Sequence, residues 1–417
     1  SFRLCMMSVD REYLSIQPTM ISCAMPSVHM IQEKKKQSNT DNIIFMEYPH
    51  NNLLTKTECT VLRGLAIMGI MLHNYCHWLN PVVKENEYQF LKHNVSWLSQ
   101  VTTGMNSLYP AHLLSFFGHY GVAIFLFLSA YGLEMKYGQA LTYSGSAIPK
   151  TGFYRFTRYH FLKLFKMMIA GFVAFTIVDA ITAAPWHYTF MQVIGQLGMF
   201  NNLFFNPDRN IWPGPFWFFG LMFQLYMVYW LLIYRRHWAW TAGLMVLCTA
   251  AQWLMNPEGE VLNYYRYNFM GSMLPFGLGI LFARYGERII LIPRDGMVNL
   301  MCFVVTLILI VSANDNFVTW TVIPALVCAD AIYFIRSVEA IPSQNLSSLI
   351  ISTLEWLGSI SAALFVVHPV LRKIFIPISR RGDIYTGLLL YVIGSLAVAW
   401  LFREIMKKIP SPQMNAQ

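Results

Sequence analysis

Long apolar stretches dominate the pattern of hydrophobic and polar positions in this chain, and short polar or basic segments separate them. A membrane-spanning helix needs about 20 mostly apolar residues. Stretches of this kind occur at 59–79, 115–135, 161–182, 214–234, 238–256, 269–284, 298–313, 317–335, 356–378 and 385–405. The pattern therefore predicts an all-α polytopic membrane protein with about ten transmembrane helices. The stretch 189–205 is polar and interrupted by glycine, so we predict a re-entrant or interfacial helix there.

The composition supports a bilayer environment. Only 12% of the residues are charged and 56% are hydrophobic, whereas soluble domains carry about 25% charged residues. The net charge is +9, but the basic residues are not massed in one patch, which argues against nucleic-acid binding. The seven cysteines include no CxxC pair, so we interpret them as small buried residues and predict neither a disulfide framework nor a metal site.

Basic residues cluster at the ends of the apolar stretches. With ten crossings, nearly all clusters fall on one side, which the positive-inside rule assigns to the cytoplasm. Both termini are therefore predicted to be cytoplasmic. One cluster falls at the opposite, outer end of the ninth stretch and comprises Arg372, Lys373, Arg380 and Arg381. Two interpretations stay open for it: side chains of a tilted helix reaching the surface, or a site for an anionic or polyhydroxylated substrate.

The beginning of the chain differs from the rest. Residues 1–45 are polar and irregular, and they do not begin with Met. No apolar core follows a basic start, so they are not a signal peptide. We expect 1–45 to be a disordered or non-native extension, 46–408 to be the transmembrane domain, and 409–417 to be a short tail.

The first apolar stretch carries Arg63, His73 and His77. Ionisable groups in a spanning helix are costly and are candidates for function by default. In a helix, Arg63 and His73 are separated by about 80° and about 15 Å, whereas His73 and His77 are neighbours. Imidazole suits a general base and guanidinium suits a phosphate clamp, so the pattern favours group transfer from a soluble phosphorylated donor. The alternative is that Arg63 reaches lipid phosphate and the histidines form structural hydrogen bonds.

Five short segments of the chain occur in a characteristic order: 62–66 running to His73, 121–132, 153–158, 217–220 with 224–226, and 357–361 leading to 364–369. In this order they resemble the acyltransferase-3 family of integral-membrane acyltransferases. The segment 121–132 is similar to the family pattern Gly-Val-x-x-Phe-Phe-x-Leu-Ser-Gly. The resemblance implies a cytoplasmic acyl-CoA donor and acyl transfer to a hydroxyl, usually of a cell-envelope sugar. It implies no bound cofactor, since acyl-CoA (expected to be acetyl-CoA) is a co-substrate.

The resemblance also implies roles for particular residues. Arg63 and His73 correspond to the essential first-helix pair of the family. Arg155 and Arg158 match basic positions that face the donor, although their effect on topology would explain them equally well. Ser129 matches the serine of the second-helix motif, where helix packing through a small residue is the alternative explanation.

Two departures from the family pattern concern these positions. The family has ten residues between the arginine and the histidine, but only nine separate Arg63 from His73. Either the helix is locally distorted, or His77 takes part of the role. The Ser-Gly of the second motif is Ser129-Ala130 here, which tightens a close backbone contact.

The sequence therefore predicts a membrane-embedded acyltransferase that moves an acyl group, expected to be acetyl, from acyl-CoA to a hydroxyl of a cell-envelope carbohydrate. Expected partners are the bilayer, acyl-CoA and an envelope glycan or lipid-linked sugar, but no nucleic acid. Separate glycan-processing proteins can also be needed. The expected location is a bacterial cytoplasmic (inner) membrane.

Polar residues also occur in the later apolar stretches, and a second function is compatible with the pattern. His368 and Arg372 are candidates for the acceptor site or its pathway, and a structural hydrogen bond is the alternative for His368. Asp330 is expected to pair with an arginine or histidine of the bundle. The rival function is a transporter or flippase for a sugar-containing substrate that uses Arg63 and His73 as a proton-coupled site. Carriers often contain internal repeats, and the chain has no second copy of the first-helix pattern.

Overall fold

The computed structural model describes residues 53–104, 106–138 and 152–413. Within these ranges the secondary structure is helical and contains no strand, as the apolar pattern predicts. The expected extension 1–45 lies outside the described residues, as do 46–52 and 414–417. The bounds of these three predicted segments therefore remain predictions.

Sixteen α-helices follow one another in the described ranges, with short 3₁₀ turns between some of them. Their bounds are α1 Lys56–Cys76, α2 Lys92–Gly104, α3 Tyr109–Phe117, α4 Gly121–Tyr137, α5 Phe153–Ile181, α6 Phe190–Leu197, α7 Pro207–Asn210, α8 Trp217–Val228, α9 Trp238–Gln252, α10 Glu260–Arg266, α11 Phe269–Tyr285, α12 Gly296–Ala313, α13 Phe317–Trp320, α14 Ile323–Glu339, α15 Gln344–Arg381 and α16 Ile384–Lys408.

Six helical stretches among the described residues are long and apolar enough to cross a membrane. They are Tyr109–Tyr137, Phe153–Ile181, Gly214–Ile233, Gly296–Ala313, Gln344–Arg381 and Ile384–Lys408. Helices also lie at the other four predicted stretches, but these are shorter or more polar. The membrane fold is thus confirmed, whereas the count of ten crossings and the orientation of the termini remain predictions. In the stretch 189–205, helix α6 has eight residues. This is about 12 Å of helix, which is too short to cross a membrane.

Helix α1 is the centre of the bundle. None of the residues from Glu58 to His77 is exposed, because α3, α4 and α15 pack around the helix. By contrast, α12 is peripheral and buries only Asn299, Thr306 and Ile310 of its 18 residues. A helix surrounded by protein needs no apolar surface for lipid, so α1 can carry Arg63, His73 and His77 without exposing them to the bilayer.

Glycines bring α1 and α15 into backbone contact. A Cβ atom on Gly64 would overlap the Leu354 carbonyl oxygen, and one on Gly358 would overlap the Thr60 carbonyl oxygen. Close approach through small residues is how membrane helices gain packing energy without a hydrophobic driving force. Both glycines belong to the segments 62–66 and 357–361, so these motifs serve helix packing.

Two ion pairs show which helix ends share one side of the bundle. Glu58 at the start of α1 pairs with Arg336 near the end of α14 at 2.5 Å. Glu134 near the end of α4 pairs with Arg284 near the end of α11 at 2.9 Å. We call this the lower side, where α1 begins, and we call the side where α1 ends the upper side.

Candidate active site

His73 lies in the interior of the bundle and has one defined hydrogen bond. Its side chain is 7% exposed, and its Nδ1 atom is 2.7 Å from the Ser115 carbonyl oxygen. Because a carbonyl oxygen only accepts, Nδ1 carries a hydrogen, and in the neutral ring the lone pair is then on Nε2. None of the described residues hydrogen-bonds Nε2. In the neutral ring Nε2 is therefore the basic nitrogen, and it is free to accept a proton.

A close backbone contact brings a third histidine, His119, beside His73 and His77 of α1. Gly69 of α1 lies against Gly118, which begins the short 3₁₀ turn before α4, and a Cβ on Gly118 would lie 2.5 Å from the Gly69 carbonyl oxygen. This contact places the ring of His119 at 5.4 Å from that of His73, and His77 lies at 5.4 Å as well. We call His73, His77 and His119 the histidine cluster. It does not form a metal site: none is found among the described residues.

His119 is the functional candidate that the sequence analysis missed. It is 2% exposed, and its Nε2 atom has no hydrogen-bond partner in the described part of the chain. A buried polar atom without a partner costs about 1–3 kcal/mol, so it indicates a place for a ligand or water. The signal in the sequence was a lone histidine at the start of an apolar stretch, which by itself is weak.

Helix α1 is continuous from Lys56 to Cys76. No break in the helix compensates for the missing residue between Arg63 and His73. The prediction of a locally distorted helix is therefore wrong. The remaining alternative gives His77 part of the role, and its ring does contact that of His73. The structure brings these two histidines together but leaves Arg63 about 15 Å below them.

The segment between α1 and α2 folds down over the histidine cluster. Val83 is fully buried, its carbonyl oxygen accepts the Ser115 hydroxyl at 2.5 Å, and its amide donates to His112. Glu85 is also buried and accepts a hydrogen bond from the Asn94 amide at 2.9 Å. Connecting segments usually run over the surface, but this one covers the upper end of the site.

The same segment carries two carboxyl groups with perturbed acidity. Burial raises the pKa of Glu85 from 4.5 to about 8 and that of Glu87 from 4.5 to about 7. The Asn94 hydrogen bond and the nearby Arg266 only partly offset this effect. Both carboxyl groups therefore exchange protons near neutral pH, as groups at functional sites often do.

A cavity of about 40 Å³ lies beside the histidine cluster, between α4, α10 and α11. Its polar lining includes Glu87, His119 and Arg266, and the rings of Trp217 and Trp320 also line it. The Arg266 guanidinium stacks 4.2 Å from the centre of the Trp320 ring and donates to Gln252 at 2.6 Å. The cavity therefore combines fixed polar groups with flat aromatic surfaces.

Arg63 is half-buried in the lower part of α1. Among the described residues it makes no hydrogen bond and no ion pair. Its charge acts on the Tyr226 side chain of α8, whose ring lies 4.2 Å from that of the buried His160. An arginine without a partner near polar aromatic side chains is available to a phosphate or carboxylate ligand.

The other predicted donor residues do not contact Arg63 directly. Arg155 and Arg158 are exposed at the beginning of α5, on the lower side. Ser129 is half-buried in α4, and no described group hydrogen-bonds its hydroxyl. Their roles in donor binding remain predictions.

The candidate acceptor residues His368 and Arg372 lie in the upper half of α15. His368 is fully buried and its Nδ1 is 3.1 Å from the Leu364 carbonyl oxygen. The Arg372 guanidinium lies 5.0 Å from the centre of the Trp78 ring and 3.4 Å from two oxygens of Asn74. Arg372 thus sits at the end of α1 next to His77, whereas the described contacts do not join His368 to the histidine cluster.

The basic cluster predicted at the outer end of the ninth stretch makes contacts within the protein. Arg372 is only 5% exposed, Lys373 pairs with the fully buried Asp179 at 2.9 Å, and Arg380 donates to the Trp78 carbonyl oxygen at 3.1 Å. For Arg372 and Lys373, the interpretation as side chains extending from a tilted helix to the surface is wrong, whereas Arg380 is exposed and both interpretations stay open for it. Their partners are groups of the protein itself.

The expected partner of Asp330 is absent. Asp330 Oδ1 is buried without a hydrogen-bond partner, and no arginine, lysine or histidine in the described ranges lies within ion-pair distance. The prediction of a pairing is therefore wrong for this part of the chain. The reason is geometric, because α14 buries Asp330 among its own apolar neighbours Val327, Cys328 and Ala331.

Comparison with known proteins identifies one family. A family model described as an acyltransferase domain, Acyl_transf_3, matches residues 58–404, a range that contains the histidine cluster, the cavity and all five sequence motifs. No curated protein and no solved structure matches the chain.

Proposed function

The chain belongs to the acyltransferase-3 family and is a membrane acyltransferase; from this premise we propose that it transfers an acetyl group from acetyl-CoA to a hydroxyl of a cell-envelope carbohydrate. The observation that carries the proposal is the geometry of His73. The Ser115 carbonyl holds its Nδ1 hydrogen at 2.7 Å, which leaves Nε2 as a base inside the bundle. The transporter hypothesis is not favoured, because the matching family consists of acyltransferases.

In the proposed reaction, His73 first acts as a base and then as an acid. Nε2 takes the proton of the acceptor hydroxyl while the hydroxyl oxygen attacks the thioester carbonyl carbon. The carbon–sulfur bond then breaks, and the thiolate takes the proton from Nε2, so that CoA leaves as the free thiol. The Ser115 carbonyl stabilises the transient imidazolium by accepting the Nδ1 hydrogen. General acid–base catalysis of this kind contributes about 10²–10⁴-fold.

The donor approaches from the lower side, which we assign to the cytoplasm. Arg63 would bind a phosphate of CoA, and Arg155 and Arg158 would supply further positive charge at the entrance. The pantetheine arm bridges the distance of about 15 Å between Arg63 and His73. Ser129 lies still lower on α4, which descends from the contact between Gly121 and Ala66, and would contact the donor near the entrance. The excess of basic residues on the lower side supports this orientation. The proposed topology has ten crossings with both termini in the cytoplasm, and the proposed location is a bacterial inner membrane.

The acceptor approaches from the upper side. His77, His368 and Arg372 lie in the upper half of α1 and α15, where an envelope glycan or lipid-linked sugar would arrive. Arg372 reaches the end of α1 through Asn74. Delivery of a glycan to this side is the step at which separate glycan-processing proteins would act.

The test is release of CoA thiol from acetyl-CoA by the full chain in membranes supplied with an envelope extract. We expect His73→Ala to lower release at least 100-fold with little change in the KM for acetyl-CoA. Arg63→Ala should instead raise that KM about tenfold, because it removes a charged contact to the donor.

Matched controls are His93→Ala in α2 and Arg294→Ala before α12, since both side chains are exposed. Both should retain wild-type release at equal expression. A folded His73→Ala protein that keeps full transfer activity would refute the catalytic assignment. Absence of thioester consumption by the wild type, with any acyl-CoA, would refute the proposed function itself.

A further inference from the structure

The cavity beside the histidine cluster is not used for binding the donor in the proposed reaction. It lies at the upper end of α4 and α11, where Glu87, His119 and Arg266 meet, whereas the free Arg63 lies about 15 Å lower along α1. The segment that covers the cavity from above carries Glu87 and connects α1 to α2. The cavity therefore lies on the side opposite to the donor, beneath this segment.

The size of the cavity limits what it can hold. One water molecule needs about 10–15 Å³ of such space, so the cavity of about 40 Å³ holds about three waters. A hydroxymethyl or similar hydroxyl-bearing arm fits this space, but a whole sugar ring does not. A ligand of this kind would insert an arm and leave its ring outside.

The lining favours a neutral hydroxyl group over an acyl chain. The Glu87 carboxylate accepts a hydrogen bond, the Arg266 guanidinium donates, and His119 Nε2 has no partner among the described residues. Buried polar groups of this kind must be hydrogen-bonded to avoid a cost of about 1–3 kcal/mol each. An apolar acyl chain would leave His119 Nε2 unsatisfied and would offer no partner to Glu87 or Arg266, whereas a hydroxyl both donates and accepts.

Trp217 and Trp320 give the cavity flat aromatic surfaces. Both rings line the cavity, and the Arg266 guanidinium is fixed 4.2 Å from the centre of the Trp320 ring. The charge of Arg266 is therefore held in place by the protein, with Gln252 accepting from it at 2.6 Å. Flat apolar faces beside fixed donors and acceptors suit the C–H faces and hydroxyls of a polyol.

We propose that this cavity is the acceptor subsite, in which Glu87 and Arg266 bind a hydroxyl-bearing arm of a neutral polyol or sugar, and His119 positions its reactive hydroxyl toward His73. The inference rests on the proposed acyl transfer. The ring of His119 lies 5.4 Å from that of His73, so a hydroxyl held by His119 is next to the base. The chemistry is that of the proposed reaction: the proton of this hydroxyl passes to His73 and its oxygen forms the new ester.

The experiment measures how the acetyl group partitions between glycerol and water. Glycerol is a small polyol with two hydroxymethyl ends, and it serves as the probe. The full chain in proteoliposomes receives acetyl-CoA and increasing glycerol, and acetylglycerol and free acetate are quantified by mass spectrometry. We expect the wild type to form acetylglycerol with saturation by glycerol.

Two variants act on the subsite. Glu87→Gln keeps the shape but weakens the acceptor of the hydrogen bond, so the KM for glycerol should rise about tenfold while that for acetyl-CoA changes less than twofold. Ala123→Leu fills the cavity from α4 and should lower the acetylglycerol-to-acetate ratio at least tenfold. If Ala123→Leu is not monodisperse, Ser272→Leu fills the cavity from α11 instead.

Matched controls make the same changes at exposed positions, Glu258→Gln and Ala397→Leu, and should leave both products unchanged. Acetyl-CoA consumption that depends on His73 but yields no acetylglycerol at any glycerol concentration would overturn the subsite. An unchanged KM for glycerol in Glu87→Gln together with an unchanged product ratio in the filled variant would overturn it as well. Absence of consumption dependent on His73 would overturn the proposed function, and the two failures are therefore distinguishable.

Discussion

Replacing Gly118 by alanine tests the backbone contact that positions the histidine cluster. Gly118 has φ −66° and ψ −23°, which alanine adopts without strain, so the added methyl group is the only perturbation. Its Cβ would lie 2.5 Å from the Gly69 carbonyl oxygen and 2.8 Å from the His73 Cβ. Ordinary contact begins at 3.4 Å, so α1 must retreat by about 0.9 Å.

The neighbours that the methyl group meets are backbone atoms and the first side-chain atom of α1, which cannot rotate away. Overpacking of this type costs about 1–3 kcal/mol. The retreat also lengthens the 2.7 Å hydrogen bond between His73 and Ser115. Because a displacement of about 1 Å can cost about 100-fold in rate, we expect transfer to fall between about ten- and 100-fold.

The assay is thermal unfolding followed by size-exclusion chromatography, together with CoA release below the unfolding temperature. Gly132→Ala is the control, because Gly132 lies in α4, which follows the turn that contains Gly118, and a Cβ there meets nothing within 4 Å. Alanine in a helix interior is favoured by about 0.5–1 kcal/mol over glycine, so the control should be unchanged or slightly stabilised. If Gly118→Ala behaves like Gly132→Ala in both measurements, the contact does not position the site.

Two further predictions concern buried carboxyl groups. Arg284→Met should lower stability by about 3–5 kcal/mol, because it leaves the buried Glu134 unpaired; adding Glu134→Gln should regain part of the loss, and thermal unfolding measures both. Burial raises the pKa of Glu85 from 4.5 to about 8, so between these pH values the folded protein holds a proton that the unfolded chain has lost. Stability should therefore fall from pH 5 to pH 8 by up to about 1.4 kcal/mol per unit for this group, and a Glu85→Gln protein with the same decline would contradict this.

The sequence predicted the helical membrane fold because apolar stretches of sufficient length have few alternative structures. It also indicated that α1 is special, since Arg63 and His73 are tolerated only in a helix shielded from lipid. The structure explains this directly, because every residue from Glu58 to His77 is at least partly buried.

The partners of these residues could not be predicted. The hydrogen bond that defines the tautomer of His73 comes from a backbone carbonyl 42 positions later in the chain, and a backbone oxygen leaves no mark in the sequence. Glu87 belongs to a connecting segment, which normally predicts a solvated surface. His119 reaches His73 only through the contact between Gly69 and Gly118, a tertiary feature that local periodicity does not contain.

Arg372 and Lys373 are neighbours in α15, and replacing each by methionine should change stability in opposite directions. The buried Arg372 has no carboxylate partner within 4 Å among the described residues, and its hydrogen bonds to Asn74 are long at 3.4 Å. Its contact with Trp78 contributes about 0.5–2 kcal/mol, less than the several kcal/mol that burying the charge costs.

Arg372→Met should therefore raise stability, by up to about 4 kcal/mol, and should lower transfer if the guanidinium binds the acceptor. Lys373→Met is the matched variant and should lower stability by about 3–5 kcal/mol, because it leaves the fully buried Asp179 unpaired. Thermal unfolding and CoA release measured on both proteins separate structure from function. A stabilised Arg372→Met protein with full activity would remove Arg372 from the acceptor pathway, and equal destabilisation by both variants would show that its contacts with Asn74 and Trp78 outweigh the buried charge.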